Sequence, residues 1–549
     1  MHQKPLLPLL FLLTAFSLQA QPNILWIVAE DISPTLSFYG DSTARTPNLD
    51  ALAARSTVYD KAYAPVGVCA PARSSIITGM YPTSIGTMHM RTGRDITAWG
   101  KRTYRDHRPF TDLHGDTLRE YAVVPPPEVK CFPEYLRRNG YFCSNNAKTD
   151  YQFAAPRSAW DENGNHAHWR NRPTQETPFF AVFNFNETHE SKLWKHADLP
   201  LTVDPTTVPV PPYFPDTDTV QQTIARHYSN LELLDRKVGE LLDQLRADGL
   251  YDSTVIFFYG DHGGPLPHQK REHYESGLRV PLMVKMPGQN NSTRNDELIC
   301  FVDFAPTLLS LAGVEPKTYF EGRAFLGSYV TAPPTYIFGS GDRFDEFTDR
   351  VRTVRSNSMR YVFNYFPEKT GYKDIGYRYQ VPMMHHLIRL RDAGTLDSVQ
   401  QRWFEARGSE ELYDVAQDPH CLHNLIDDPA YARKRYWLRS ALLQHLQTAP
   451  DLGQLPEARM IELMGWDDGQ PQTAEPRLIE SDKGYVSLRI NEPGASLSYI
   501  WLDTDLPEPD FDAAWQLYNG SNLDAQIGKT LWVLGERIGY AATIVRFDF

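Results

Sequence analysis

The sequence has 549 residues and a formal net charge of −13. A chain of this length exceeds what one hydrophobic core usually holds, so we expect two or more lobes. The acidic balance argues against nucleic acid as the main partner, because nucleic-acid-binding surfaces are basic.

Residues 1–20 are typical of a secretory signal peptide. The segment has a weakly basic start, a short apolar centre and Ala20 at its end. That pattern indicates a cleaved leader rather than a membrane span. No later stretch is apolar enough to cross a bilayer. We therefore predict a periplasmic or secreted protein without stable membrane insertion.

Three apolar, β-branched runs indicate buried parallel strands. They lie at residues 23–32, 178–190 and 253–264, and each ends in polar residues. Between the second and third runs, apolar residues recur at helical spacing over 219–250. Strands that alternate with helices predict an α/β fold with a mostly parallel central sheet sandwiched by helices.

The polar residues that end two of these runs predict a metal site. Glu30 and Asp31 close the first run, and Asp261 and His262 close the third. The carboxyl ends of parallel strands meet at one edge of a sheet, where ligands bind. Carboxylate-rich donor sets suit hard divalent cations, and calcium fits an exported protein. The alternative for either pair alone is that each acid caps the turn that follows.

The stretch VGVCAPARSSIITGMYP, residues 66–82, groups a cysteine and an arginine with small residues. Its second half predicts a short helix that ends at Gly79, which places Cys69 at a helix N-terminus, a position that favours anions. The chain has five cysteines, and an odd number leaves at least one unpaired, most simply Cys69. Cys131 and Cys143 are near enough in sequence to pair, but their spacing alone does not decide this.

The pattern changes after residue 334. Short strand-like runs and a helix over 430–447 predict a smaller antiparallel α+β subdomain at 335–455, packed on the lobe formed by 21–334. Mixed charges at 339–347 are expected near the rim of the pocket. A polar stretch at 456–474 is interpreted as a linker, and alternating apolar residues in 475–549 predict a small β-sandwich.

The motif Cys69-Ala70-Pro71-Ala72-Arg73, with Thr78-Gly79 after it, resembles the signature of the formylglycine-dependent (type I) sulfatases of the alkaline phosphatase superfamily. The similarity covers about residues 22–450. It implies that a formylglycine-generating or anaerobic sulfatase-maturing enzyme converts Cys69 to formylglycine (3-oxoalanine). It also implies one calcium ion per chain, with these ligands: Glu30, Asp31, Cys69, Asp261 and His262. Glu30 departs from the family, which usually has aspartate there.

The resemblance extends to the residues that act on the sulfate. Arg73, Lys148 and Lys270 match cations that offset the charge of the sulfate oxygens, and His189 matches the histidine near the leaving oxygen. In the mechanism that the resemblance implies, one hydroxyl of the hydrated aldehyde attacks the sulfur atom of the ester. The second hydroxyl then loses its proton, the aldehyde forms again and sulfate is expelled. Asp150 stands where the family commonly has a histidine, which leaves the second base unassigned. His89 is the candidate replacement, although a structural role is an equal alternative.

The substrate predicted from the sequence is a sulfated glycan. The region 91–172 is rich in Arg, Trp and His, and such interleaving suits anionic sugars. The stretches NNAKTDYQF and NFNETHES resemble bacterial polysaccharide sulfatases and N-sulfoglucosamine sulfohydrolases, and 475–549 is similar to the C-terminal domain of chitobiases. The alternatives are a sulfamidase, a phosphodiesterase or phosphonate hydrolase of the same superfamily, and a catalytically silent glycan-binding protein.

Overall fold

The computed structural model describes residues 21–93, 110–480, 484–510 and 513–549. The predicted signal peptide at 1–20 and residues 94–109 of the Arg- and Trp-rich region lie outside the described residues. Within the described ranges, no helix combines the length and apolarity that a membrane crossing requires.

A nine-stranded sheet forms the centre of the first lobe in the described part of the chain. Its strands run in the spatial order β4-β3-β5-β1-β6-β7-β2-β8, with β9 beside β2. In chain order these strands are β1 (Asn23–Ala29), β2 (Thr57–Tyr63), β3 (Phe142–Asn146), β4 (Glu162–Asn163), β5 (Phe179–Phe185), β6 (Thr254–Gly260), β7 (Arg279–Lys285), β8 (Thr293–Asn295) and β9 (Ile299–Cys300). The three predicted strands are confirmed as β1, β5 and β6.

The sheet is mostly parallel, as predicted. The neighbours β4, β3, β5, β1 and β6 all run parallel, whereas β7 pairs antiparallel with both β6 and β2. Because the parallel strands point the same way, the loops that follow β3, β5, β1 and β6 emerge at one edge. That edge carries the polar residues noted in the sequence.

Helices cover both faces of the sheet. Ile24, Trp26 and Val28 of β1 enter one apolar core, and the alternating Leu25 and Ile27 enter the other. The first lobe's helices are α1 (Pro47–Ala53), α2 (Cys69–Thr78), α3 (Pro82–Ile85), α4 (Pro133–Arg138), α5 (Lys192–Lys195), α6 (Asp218–Ala247), α7 (Glu275–Leu278) and α8 (Phe304–Leu311). The helices α2, α4 and α8 pack on the first core and α1 and α6 on the second, so the predicted α/β sandwich is confirmed.

A separate antiparallel sheet with helices follows, also as predicted. Its strands are β10 (Ile337–Gly341), β11 (Val351–Arg355), β12 (Met359–Asn364) and β13 (Glu410–Asp414), in that spatial order. The helices of this region are α9 (Pro382–Asp392), α10 (Ser398–Gln401) and α11 (Ala432–Thr448). Leu438 and Leu442 of α11 pack against Val354 and Tyr361 of the sheet.

The segment 456–474, predicted to be a polar linker, is packed instead. It contains α12 (Glu457–Leu463), and Met460 and Ile461 of this helix are buried in the first core. Trp466 is buried beside them and donates its indole N–H to the carbonyl of Ala122 at 3.0 Å. The apolar residues of this segment recur at helical spacing and form the buried face of a helix. The linker prediction was wrong because it relied on the average polarity of the segment.

Two antiparallel sheets form the C-terminal β-sandwich, in agreement with the prediction. Its strands are β14 (Arg477–Glu480), β15 (Tyr485–Arg489), β16 (Ser496–Asp503), β17 (Gln516–Leu517), β18 (Leu523–Asp524), β19 (Lys529–Glu536) and β20 (Thr543–Asp548). One sheet has the order β14-β15-β18 and the other β17-β16-β19-β20. Val486 and Leu488 of the first sheet share a core with Leu531 and Val533 of the second.

Gly79 ends α2, as predicted, and offers a stability test. Its φ of +68° suits glycine, and an added Cβ lies 2.6 Å from the ring of Phe320. Gly249, just beyond α6, has a φ of +71° with open space around it. We expect Gly249→Ala to cost about 1 kcal/mol through backbone strain alone. Gly79→Ala is expected to cost about 1–3 kcal/mol more through overpacking.

Thermal unfolding of the two variants measures this difference. The lower midpoint is expected for Gly79→Ala, because only that substitution adds a clash to the strain. Equal midpoints for the two variants would contradict the packing of α2 against Phe320.

Candidate active site

Cys69 lies at the meeting point of the loops that follow the parallel strands. It is the first residue of α2, after an extended Val68, and its side chain is fully buried. Its Sγ lies 3.2 Å from His262 Nε2, 3.6 Å from Lys270 Nζ and 3.9 Å from Asp31 Oδ1. The open N–H groups of a helix N-terminus favour negative charge at this position.

The predicted metal ligands converge around the same sulfur atom. Glu30 and Asp31 follow β1, and Asp261 and His262 follow β6, its parallel neighbour. Asp31 donates its backbone N–H to Asp261 Oδ1 at 3.0 Å, and Asp31 Oδ1 lies 3.1 Å from His262 Nε2. Ligand atoms of two groups lie within 4.8 Å of one another: Glu30, Asp31, Cys69 and His189; and Asp31, Cys69, Asp261 and His262.

This donor set fits a hard divalent cation. Glu30, Asp31, Asp261 and His262 are fully buried, so the oxygens are gathered away from water. Three carboxylates packed this closely repel one another unless positive charge lies among them. Oxygen donors supplemented by one imidazole suit calcium-type chemistry better than they suit soft metals.

Three cations surround the carboxylates. Arg73 bonds Glu30 Oε1 at 2.6 Å through Nη2 and Asp261 Oδ2 at 3.1 Å through Nε. Lys148, after β3, pairs with the other oxygen of Glu30. Lys270 lies 2.6 Å from Asp31 Oδ2, so all three predicted sulfate-contacting cations are brought to the site.

These contacts shift the pKa values of the charged groups. Burial raises the pKa of Glu30, and Lys148 opposes this only in part. Burial also acts to raise the pKa of Asp31, but Lys270 foremost, with His189 and His262, holds it well below its usual value. Burial disfavours protonated His262, yet the neighbouring negative charges, led by Asp261, raise its pKa to about 10.

The two candidate histidines have different surroundings. His189 follows β5 and lies in one of the two clusters, with its Nδ1 2.9 Å from the hydroxyl of Ser191. Burial, with Lys270 next, holds the pKa of His189 well below its usual value. His89 is not in those clusters: its Nδ1 accepts a hydrogen bond from the backbone N–H of Arg343 at 3.2 Å. Its neighbour Met90 packs in the same apolar cluster as Cys69.

The structure adds residues that sequence reasoning did not single out. Asn184 at the end of β5 accepts from Arg73 Nη1 at 2.7 Å, and Glu190 lies 3.1 Å from Lys270 Nζ. Asp150, already noted in the sequence as a departure from the family, pairs with Arg91 and lies 3.5 Å from Lys148 Nζ. Asn184 and Glu190 belong to the same NFNETHE stretch as His189, so its polar end was the available signal.

The structure corrects the prediction about two tryptophans and decides whether Cys131 and Cys143 pair. Trp160 and Trp169, expected among the sugar-stacking platforms, are buried in the two cores, because their rings pack on Phe180 and Phe179. All five cysteines lie in the described ranges and are buried free thiols, so Cys131 and Cys143 do not pair.

Comparison with known proteins places these residues in a family. Residues 22–314 match the family model described as Sulfatase. An ulvan-active sulfatase of Formosa agariphila is 40% identical over 566 residues, covering 96% of this chain and 91% of that protein. Human N-sulphoglucosamine sulphohydrolase is 24% identical, covering 77% of this chain and 90% of its own.

Solved structures share the fold. A 2-O GAG sulfatase superposes with a TM-score of 0.56 at 17% identity, covering 78% of this chain and 93% of its own. A phosphonate monoester hydrolase from Silicibacter pomeroyi superposes with a TM-score of 0.54 at 15% identity, covering 86% of this chain and 100% of its own.

Proposed function

Because the chain belongs to the sulfatase family, whose members are sulfuric ester hydrolases, we propose that it hydrolyses sulfate esters of a sulfated polysaccharide or its oligosaccharides. The observation that carries the proposal is the position of Cys69. Its Sγ lies 3.2 Å from His262 Nε2, 3.9 Å from Asp31 Oδ1 and 3.6 Å from Lys270 Nζ. Candidate metal ligands and an ammonium group close to the same atom suit an anionic ester at this point.

Each part of the site has a role in this proposal. Glu30, Asp31, Asp261 and His262, with modified Cys69, hold one calcium ion. The ion supplies Lewis-acid polarisation when it is bound. Cys69 is converted to formylglycine by a maturation enzyme, and the hydrated aldehyde supplies a nucleophilic oxygen.

The remaining residues bind the ester and move a proton. Arg73, Lys148 and Lys270 offset the charge that develops on the sulfate oxygens. His189 Nε2 transfers a proton to the departing sugar oxygen, while its Nδ1 is oriented by Ser191. Asn184 fixes the guanidinium of Arg73 toward Glu30 and Asp261. His89 is assigned no proton transfer, since it lies outside both clusters of ligand atoms around Cys69.

The substrate class rests on two independent lines of support. The relative with 40% identity over nearly the whole chain is named for its activity on ulvan, a sulfated polysaccharide. A periplasmic or secreted location, predicted from residues 1–20, puts the enzyme where such polymers or their fragments are met. We take ulvan as the first candidate.

Two other reactions of the same site serve as alternatives. A sulfamidase reaction is favoured by the human N-sulphoglucosamine sulphohydrolase relative. Phosphonate or phosphodiester hydrolysis is the second alternative; the likeness to a phosphonate monoester hydrolase concerns the fold alone. Sulfate and phosphate esters share shape and charge, so one cationic pocket binds both.

A substrate panel tests the proposal. Enzyme produced together with a formylglycine-generating enzyme and supplied with calcium is incubated with ulvan, carrageenan, glycosaminoglycans, N-sulfoglucosamine, an aryl sulfate and a matched phosphonate ester. We expect free sulfate, measured by ion chromatography, from ulvan or its oligosaccharides at rates above those from the small esters. Efficient cleavage of the aryl sulfate with no sulfate from any polysaccharide would overturn the proposed substrate class.

A further inference from the structure

A buried ion pair joins α12 to the rim of the candidate active site. Arg343 lies two residues beyond β10, and Glu457 is the first residue of α12. Their side chains are 1% and 3% exposed, and the guanidinium donates to both carboxylate oxygens at 2.7 Å. Tyr121 donates its hydroxyl to the same carboxylate at 2.8 Å. Because two nitrogens bind two oxygens, this pair fixes the orientation of the guanidinium as well as its distance from the carboxylate.

All five N–H donors of Arg343 are engaged. Two bind Glu457, and the other three donate to backbone carbonyls of Met90 at 3.0 Å, Arg91 at 3.0 Å and Asp345 at 2.7 Å. A guanidinium has five donors in a rigid fork, so this side chain is fully committed. It therefore ties the loop at 89–92 to the loop at 343–347.

From Arg91 a short chain of charges leads to Lys148. The guanidinium of Arg91 pairs with Asp150, and Asp150 Oδ2 lies 3.5 Å from Lys148 Nζ. Asp150 is fully buried and the side chain of Lys148 is 8% exposed. The carbonyl of Arg91 accepts a hydrogen bond from Arg343, so the Arg343–Glu457 pair contacts the start of this first chain.

From Asp345 a second chain leads to Lys270. Asp345 Oδ2 lies 3.3 Å from Arg271, which binds both oxygens of Glu190 at 2.9 and 3.0 Å. Glu190 in turn lies 3.1 Å from Lys270 Nζ. The second chain is also anchored at a backbone carbonyl that Arg343 holds.

Four of the five residues between Arg343 and the two lysines, all except Glu190, have unusual backbones. Arg91, Asp150, Arg271 and Asp345 have φ values of +69°, +58°, +73° and +51°. Side chains other than glycine rarely adopt this conformation, and it persists where the surroundings dictate it, often at functional sites. The strained residues lie along both chains, which indicates that the surrounding structure imposes the geometry of these chains.

We infer that Arg343, fixed by Glu457, is a positioning residue that sets the positions of Lys148 and Lys270 in the candidate active site. The inference rests on the proposed function, in which both ammonium groups bind the sulfate. Neither Arg343 nor Glu457 touches the substrate; they act through the backbone of residues 90, 91 and 345. A shift of about 1 Å in a charged binding group is enough to cost about 100-fold in rate.

The test combines activity with binding of inorganic sulfate. Glu457→Gln keeps the shape of the side chain and removes its charge, and Arg343→Lys keeps the charge and removes the fork. For both, we expect kcat/KM on ulvan oligosaccharides to fall about 10- to 100-fold. The dissociation constant of inorganic sulfate, measured by calorimetry on the calcium-loaded protein, is expected to rise about 10-fold or more.

A matched control separates positioning from general stability. Asp349 and Arg407 form a second buried ion pair, in which Nη2 lies 2.8 and 3.0 Å from the two carboxylate oxygens and the side chains are 0% and 4% exposed. Asp349→Asn removes a buried charge in the subdomain that contains Arg343. We expect it to lower the unfolding midpoint as Glu457→Gln does, with sulfate affinity within twofold of wild type. If Glu457→Gln does not fold, Tyr121→Phe is used instead, because it removes only the hydroxyl that donates to Glu457. Its kcat/KM and sulfate affinity are measured in the same way.

The outcomes distinguish the two proposals. Unchanged sulfate affinity and kcat/KM in folded Glu457→Gln, or an equal loss in Asp349→Asn, would overturn the positioning role. If wild-type protein releases no sulfate from any polysaccharide, the proposed substrate is wrong. The sulfate affinities of the variants then still decide whether Arg343 positions the two lysines.

Discussion

Replacing Cys69 by alanine is expected to reduce sulfate release by about 10⁴-fold or more, because the substitution removes the atom from which the nucleophile is made. The polar groups recorded in contact with Sγ in the described residues are His262, Lys270 and Asp31, and each of them also makes other contacts. Cys69→Ser, produced with a formylglycine-generating enzyme that acts on the thiol, is expected to lose activity in the same way, since the serine hydroxyl is left unoxidised. Sulfate release is measured by ion chromatography on proteins with matching calcium content.

Cys143→Ala is the control for the loss of a buried thiol. Cys143 is as fully buried as Cys69, and its Sγ contacts the carbonyl of Pro133 at 3.7 Å within the first core. We expect this variant to retain the wild-type rate. Activity of Cys69→Ala within about 10-fold of wild type would show that catalysis does not depend on this residue.

Asp31→Asn is expected to abolish calcium binding and to lower kcat by about 100-fold or more. Asp31 belongs to both ligand clusters and contacts Lys270, His262 and the backbone N–H of Glu190. Its φ of +48° lies in the left-handed region, which asparagine tolerates better than most residues do. The substitution therefore removes charge while it keeps the backbone.

Calcium content, measured by elemental mass spectrometry, is expected to be one ion per chain in wild type and none in Asp31→Asn. Chelation of the wild type should abolish activity, and added calcium should restore it. Asp235→Asn serves as the control, because Asp235 is buried and binds only the start of α1, with its Oδ1 2.8 Å from the N–H of Leu49. A wild-type rate in demonstrably metal-free protein would contradict the calcium site.

The site residues were predictable because local patterns identify the ends of parallel strands. Apolar runs that end in Glu30, Asp31 and Asp261 each form a strand with both faces buried, and parallel neighbours bring their ends together. The helix that begins at Cys69 and ends at Gly79 was equally local, since a helix stop and its glycine are adjacent in sequence.

The residues that support the site were not predictable in the same way. Arg343 and Glu457 are 114 residues apart, and nothing in either neighbourhood marks the pairing. Charged and polar residues are usually exposed, so the mixed charges at 339–347 indicated a rim, and the polar stretch at 456–474 indicated a linker, rather than a buried network. Trp160 and Trp169 were predicted to stack on sugars but are buried. Composition alone does not distinguish an exposed stacking residue from a core residue.

The most direct test of the account is the mass of the tryptic peptide that contains Cys69, taken from enzyme of known turnover. Cleavage after Lys61 and Arg73 gives the peptide AYAPVGVCAPAR. The account predicts a form in which oxygen replaces sulfur and two hydrogens, and a rate of sulfate release proportional to the fraction of chains in that form. Full activity in protein whose Cys69 is entirely unmodified thiol would contradict it.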